Sequence, residues 1–220
     1  MTDRRTGPAT LHWDVLTIGH LSRNRFWGES DDRAYREPLC TSTLIQTAEH
    51  NVVVDPGLPL EEMARILDRR AGIVPGSVDI VFLTHFHGDH RVGLDAFPHA
   101  VWYMPAAEIE HCERHLAAES PDREVLDLLR PVGPTLFPGI TVLATPGHSA
   151  GHASLLFESE GMRIAVAGDA AMTRDFFVNR DYYFNTVDAE AAVTSIETLS
   201  RAADVVVPGH DNFFLNRPLE

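Results

Sequence analysis

The sequence predicts an α/β fold of one domain, in which apolar strands deliver histidine and aspartate to a common edge. Three observations carry this expectation. Short runs rich in Val, Ile and Leu alternate with amphipathic helical stretches through most of the chain. Several of these runs stop at a turn and a metal-binding residue type, as in Pro146-Gly147-His148, Gly168-Asp169 and Pro208-Gly209-His210. The length of 220 residues and the apolar fraction of 44% suit one sizeable core.

Taken in order, residues 11–18 read as the first strand. Residues 19–38 are polar, a long loop carrying Phe26, Trp27 and Tyr35 either as a pocket mouth or as anchors to the body. Strands at 41–47 and 51–55 follow, joined by Ala48-Glu49-His50. The second ends in Val54-Asp55-Pro56-Gly57, a sharp exit that leaves a carboxylate at the strand's C-terminal edge. Leu60, Met63, Ala64 and Leu67 recur at helical spacing. Glu61 and Glu62 lie in the first turn, Arg69 and Arg70 in the last, and Gly72 just beyond, as the helix dipole and C-cap prefer.

The next strand is expected at 80–83, then a short helix to 96, a strand over 100–104, helices over 106–118 and 121–130, and a connector over 131–138. His111 and His115 share one helix face, but no third ligand accompanies them. Strands over 139–145, 151–158 and 162–167 come next, and 173–187 reads as irregular and aromatic. Asp188 is a good N-cap for a last helix that buries Val193, Ile196 and Leu199, and 204–207 is the final strand. No repeat, low-complexity tract or linker intervenes, so 1–220 is expected to be a single domain with its core at about 11–210.

The net charge of −14 disfavours nucleic acid as a partner. Cys40 and Cys112 are far apart and form no disulfide framework, so a reducing, cytoplasmic setting is expected. The segment Met1-Thr2-Asp3-Arg4-Arg5-Thr6-Gly7-Pro8 carries basic residues without an apolar stretch behind it, and no run is long enough to span a bilayer. The expected partner is a small-molecule substrate, with the chain as a monomer or homodimer.

Thr84-His85-Phe86-His87-Gly88-Asp89-His90 follows directly on the apolar run Ile80-Val81-Phe82-Leu83. Four ligand-type side chains in so short a loop do not fit one tetrahedral ion, and the spacing suggests a loop curled between two. His148, Asp169 and His210 supply three more from other strand ends. A plausible division puts His85, His87 and His148 on one ion and Asp89, His90 and His210 on the other, bridged by Asp169. Nitrogen and oxygen donors without cysteine suit zinc, iron or manganese, and we expect two divalent ions, zinc foremost. Taken singly, His148 and His210 would be ordinary loop histidines; four strand ends with the same pattern are not coincidence.

Thr84 to His90, with Pro146-Gly147-His148, Gly168-Asp169 and Pro208-Gly209-His210, resembles the metallo-β-lactamase superfamily in motif order over about 11–210. The resemblance implies a four-layer αβ/βα sandwich, two mixed β-sheets flanked by helices, with the metals at one sheet edge. Asp55 matches the family's first motif, whose acid orients a ligand loop; a plain turn-capping aspartate is the alternative. His152, in Gly147-His148-Ser149-Ala150-Gly151-His152, reads as a neighbour supporting the ligands. The chemistry implied is hydrolysis of an ester, lactone or thioester by a hydroxide held between the ions, with Asp89 or Asp169 passing a proton.

Departures narrow the choice. Antibiotic-hydrolysing members generally lack the bridging aspartate, and glyoxalase II-type thioesterases carry a helical C-terminal domain, whereas ten residues follow His210 here. The segments around His148 and Asp169 look most like the N-acyl homoserine lactonase branch. Those lactonases have a tyrosine three residues after the bridging aspartate; this chain has Met172, which cannot donate a hydrogen bond. Tyr182 or Tyr183 could substitute. Met172, Phe176, Phe177, Tyr182 and Tyr183 are accordingly the candidate substrate-pocket residues, the aromatic ones having core or dimer packing as the alternative. Other readings on the same scaffold are a single-iron, persulfide dioxygenase-like enzyme, a small nuclease-like phosphodiesterase, and a binding protein that keeps metal for structure.

Overall fold

The computed structural model describes residues 11–217; the basic segment at 1–8 lies outside them. Two six-stranded sheets form the body. The first runs β1 (His12–Thr17), β2 (Ser42–Gln46), β3 (Asn51–Val54), β4 (Ile80–Phe82), β5 (Val101–Pro105), β6 (Arg130–Val132), in that spatial order. The second is the reverse of chain order, from β12 (Phe214–Leu215) through β11 (Val205–Pro208), β10 (Met162–Gly168), β9 (Ala153–Ser159) and β8 (Ile140–Ala144) to β7 (Thr135–Phe137). Both are mixed: β3–β4–β5–β6 and β10–β11 pair in parallel, and the other pairs are antiparallel.

The two-residue period of the strands decides which side chain enters which layer. Val52, Val54, Ile80 and Phe82 point between the sheets and meet Val142, Leu155, Phe157, Ile164, Val166, Val205 and Val207. Their neighbours Val53, Val81 and Leu83 point outward, onto α1 (Leu60–Ala71), α2 (Ala106–His115) and α3 (Asp122–Leu128) through Met63, Leu67, Ile109, Cys112 and Leu126. On the far side Ala165, Ala167 and Val206 pack on Phe177 of α4 (Arg174–Asn179) and on Ile196 and Leu199 of α5 (Ala189–Ala202). Helix, sheet, sheet, helix is the four-layer arrangement expected. Because β3 and β4 are covered on both faces, a charge at either Val53 or Val54 would forfeit about 1.5–3 kcal/mol of burial before any desolvation cost.

The expected helix ends hold where capping chemistry is present. Gly72 takes φ 66° and its N–H closes α1 on the Asp68 carbonyl, and the Asp188 side chain accepts from Ala191 N–H to open α5. Two expectations differ. The connector at 131–138 holds β7 and all of β6 but its first residue, Arg130, and so carries the chain from one sheet to the other. Pro131 is tolerated in β6 because that strand is a sheet edge, where a missing N–H breaks no ladder. The irregular stretch 173–187 contains the short helix α4, capped by Thr173 accepting from Phe176 N–H. Among the described residues, no helix is long and apolar enough to cross a membrane.

Candidate metal centre

All four ligand-bearing loops leave the same edge of the sandwich. His85, His87, Asp89 and His90 follow β4, His148 lies between β8 and β9, Asp169 follows β10, and His210 follows β11. The parallel pairings β3–β4 and β10–β11 bring these strand ends side by side. Close approach is required at Gly209, where a Cβ would fall 2.0 Å from Asp169 Oδ1.

The seven side chains form two groups around the Asp169 carboxylate. In one, His85 Nε2 and His148 Nε2 each stand 2.9 Å from His87 Nδ1, and Asp169 Oδ2 is 3.1 Å from His148 Nε2 and 3.8 Å from His85 Nε2. In the other, Asp169 Oδ1 is 3.2 Å from His90 Nε2 and 3.3 Å from His210 Nε2, and Asp89 Oδ2 is 3.6 Å from His210 Nε2. Ligands on a tetrahedral ion with bonds of about 2.0–2.1 Å lie roughly 3.3 Å apart, close to these separations. The donors fit a cation on a second count. His90 Nε2 and Asp169 Oδ1 are buried and make no hydrogen bond, a cost of about 1–3 kcal/mol each unless an ion lies between them. The first group likewise crowds three imidazole nitrogens around at most a few protons.

The outer hydrogen bonds orient the rings. Asp55 is buried in a left-handed conformation at φ 50°, which an aspartate tolerates, and this turns its carboxylate back toward β4. Its Oδ1 accepts from Thr84 N–H at 2.8 Å, and its Oδ2 accepts from the Thr84 hydroxyl at 2.8 Å and faces His90 Nδ1 at 2.9 Å. With its proton given to Asp55, the Thr84 hydroxyl accepts from His85 Nδ1 at 3.0 Å. His210 Nδ1 donates to the Leu39 carbonyl at 2.8 Å. Each of these three bonds engages Nδ1 and turns Nε2 toward the centre. His152 sits behind His85, ring centroids 5.2 Å apart, with its Nδ1 2.9 Å from Thr145 Oγ1.

Burial holds His85 well below the ordinary imidazole value, pushes His87 down to about 4 and His152 to about 3, so all three are neutral near pH 7. Burial alone would lower His90 and His210 too, but Asp169, joined by Asp55 at His90 and by Asp89 at His210, reverses this, and both are raised. Asp169 itself is held well below the carboxylate range: burial opposes its charge, and His90, His210 and His148 overcome that.

A cavity of about 220 Å³ opens over the centre, lined among others by Ser22, His87, Asp89, Asp169, Met172, Tyr183, Phe184 and His210. Tyr183 is buried and its hydroxyl meets Ser22 Oγ at 3.0 Å and donates to the Arg23 carbonyl at 3.2 Å. Of the other sequence-predicted pocket residues, Phe176 packs with Leu21, Met172 and Tyr183 in a small core, and Phe177 packs on α5. Tyr182 is 40% exposed and outside the lining. α4 is the reason: it turns both phenylalanines into the body. Phe26, from the long loop, anchors on Phe176 edge-to-face at 5.0 Å. His111 and His115 stack on the exposed part of α2, away from the centre.

Sequence reasoning did not single out Thr84, Ser22 or Glu108. Glu108 is buried, and its carboxylate accepts from Ser149, Gly151 and Phe86. It lies in the first turn of α2, and nothing local in the sequence marks it as buried.

Fold and site together define an αβ/βα sandwich with a candidate two-ion centre at one sheet edge. The chain belongs to the metallo-beta-lactamase superfamily, whose family description matches residues 35–210. An N-acyl homoserine lactonase of a Bacillus species is 27% identical over 205 residues, covering 76% of this chain and 79% of the relative. The lactamase-like protein aptB of Emericella nidulans is 30% identical over 154 residues, covering 66% of this chain and 44% of its own length. A crystal structure of the Bacillus thuringiensis lactonase AiiA, in a variant with N-decanoyl-L-homoserine bound at the active site, superposes with TM-score 0.70 at 24% identity. It covers 92% of this chain and 94% of that one, and shows the shared fold.

Proposed function

We propose that the protein is a dinuclear metal-dependent hydrolase that cleaves a small carboxylic ester, with a lactone as the first candidate and a thioester as a close relative. The observation that carries this reading is the Asp169 carboxylate, whose two oxygens face two separate sets of imidazoles. A single-ion enzyme has no need of that arrangement. The lactonase relatives support the substrate class.

Two divalent ions bound there would supply a hydroxide nucleophile at neutral pH and polarise the scissile carbonyl. In this reading His85, His87 and His148 would hold one ion and Asp89, His90 and His210 the other, with Asp169 shared between them. The residues of the chain do the rest. Asp55 and Thr84 keep His90 and His85 in the tautomers that present Nε2. Asp89 is partly exposed to the cavity, so its outer oxygen can take a proton from the attacking water and return it to the leaving alkoxide. Tyr183 is the tyrosine on the cavity wall, and its hydroxyl can turn its proton from the Arg23 carbonyl toward an incoming oxygen while Ser22 continues to donate to it. Met172 packs beside it and offers no donor. The ester's acyl portion would lie against Phe184 and Leu21. The centre and its supports draw on loops spread from Ser22 to His210, so residues 11–210 are taken as one unit. The buried free cysteines fit the cytoplasmic setting.

A panel of lactones, thioesters, aryl esters and phosphodiesters, assayed at defined metal load with oxygen uptake on a persulfide in parallel, tests this reading. Carboxylic-ester turnover lost on chelation is the expected result. Phosphodiester cleavage alone, or oxygen uptake alone, would replace it.

A further inference from the structure

Glu108 lies outside the ligand set, yet it joins the two loops that carry the His85/His87/His148 group. Its Oε1 accepts from the backbone N–H of Phe86, 3.3 Å away, the peptide between His85 and His87. Its Oε2 accepts from Ser149 Oγ at 2.9 Å and from Gly151 N–H at 2.8 Å, the residues that follow His148. The residue is 2% exposed. Such a carboxylate is retained in an apolar setting only where its partners are fixed, and here three donors are. The approach is close enough to exclude a side chain at Gly151, where a Cβ would fall 2.1 Å from Glu108 N. Arg91 completes the hold on the same residue: its Nε donates to the Phe86 carbonyl at 3.0 Å, and its guanidinium lies 4.4 Å over the Phe86 ring and pairs with Asp122.

The outer carboxylates therefore divide the work. Asp55 bonds directly to His90 and reaches His85 through Thr84, all on the first sheet's side. Glu108 ties the loop after β4, in the first sheet, to the loop before β9, in the second, and makes no hydrogen bond to Asp89, His90 or His210.

Resting on the two-ion reading above, we infer that Glu108 is a positioning residue for one ion only, setting the separation of His85 and His87 from His148. Glutamine is nearly isosteric but has a single acceptor oxygen. Whichever way its amide turns, an N–H is set against the fixed backbone donor of Phe86 or Gly151, and one loop is released.

The test is metal affinity in a competing chelator, read separately at the two positions with cobalt(II) or zinc. Wild-type protein is expected to take up two ions. In an Asp89→Ala background, which leaves the three-histidine position complete, adding Glu108→Gln should weaken the remaining ion by about 10–100-fold. In a His148→Ala background, which leaves the Asp89/His90/His210 position, the same substitution should change affinity less than about 3-fold, against that 10–100-fold scale. Glu108→Asp should behave as Glu108→Gln, since a shortened carboxylate cannot reach both loops. Equal weakening at both positions, or at neither, overturns the inference while leaving two-ion binding intact. A wild-type chain that takes up no ion overturns the two-ion reading and this inference with it. Melting of the metal-free variants, expected to stay cooperative, separates misfolding from the loss of one ion.

Discussion

Asp55 Oδ2 lies 2.9 Å from Nδ1 of His90, and both side chains are buried at the end of the parallel pair β3–β4. One carboxylate thus fixes a ring whose far nitrogen points at Asp169, and it also holds the Thr84 hydroxyl and amide. Replacing Asp55 with alanine leaves those donors buried without an acceptor. Stability of the metal-free protein should fall by on the order of 2–4 kcal/mol, measured by urea unfolding. Asp55→Asn, which keeps the shape, should cost less stability but about 10–100-fold in metal affinity. Equal affinity in the asparagine variant would remove Asp55 from the centre.

Asp169→Asn separates bridging from charge. The amide can hold one position at most, so metal content should fall toward one ion per chain and kcat/KM by on the order of 10²–10³-fold. Metal analysis and ester turnover on the same preparation check this, and an asparagine variant with full metal and full rate contradicts it.

Uptake of metal should expel protons. His90 and His210 are raised above the ordinary imidazole value in the metal-free centre, because the carboxylates facing them, Asp169 foremost, together outweigh burial. Each holds its second proton to higher pH than a free imidazole, and a metal must displace it. Affinity therefore rises with pH through their metal-free titration and flattens above it. Calorimetry in buffers of different ionisation enthalpy should show buffer-dependent heats; heats independent of buffer would contradict the charge assignment.

Tyr183→Phe removes the hydroxyl from the cavity wall while keeping the ring in its cluster with Leu21, Met172 and Phe176. Loss of its bonds to Ser22 and Arg23 should cost about 1 kcal/mol of stability. If the phenol assists the leaving group, kcat falls roughly 10²-fold with KM nearly unchanged. A change confined to KM would make Tyr183 a binding wall only.

The strand ends were legible because each signal was local. Apolar runs stopping at Pro-Gly-His or Gly-Asp mark both a strand end and its histidine or aspartate, and His148, Asp169 and His210 converge with the four candidates of the loop after β4. Residues 131–138 were opaque because β6 and β7 are three-residue edges, held by pairing with β5 and β8 rather than by their own pattern. The pocket was misjudged at Phe176 and Phe177 for a related reason. α4 is six residues long, too short for periodicity to reveal, yet its direction decides that these rings pack into the body while Tyr183 reaches the cavity. Glu108 was hidden because its importance lies in what approaches it, from Phe86 on one loop and Gly151 on another.

The most direct test of the dinuclear account is the metal content of wild-type protein purified without added metal. The arrangement of His85, His87 and His148 on one oxygen of Asp169, and of Asp89, His90 and His210 around the other, predicts close to two divalent ions per chain. One iron per chain, with no second ion taken up on titration, would contradict it.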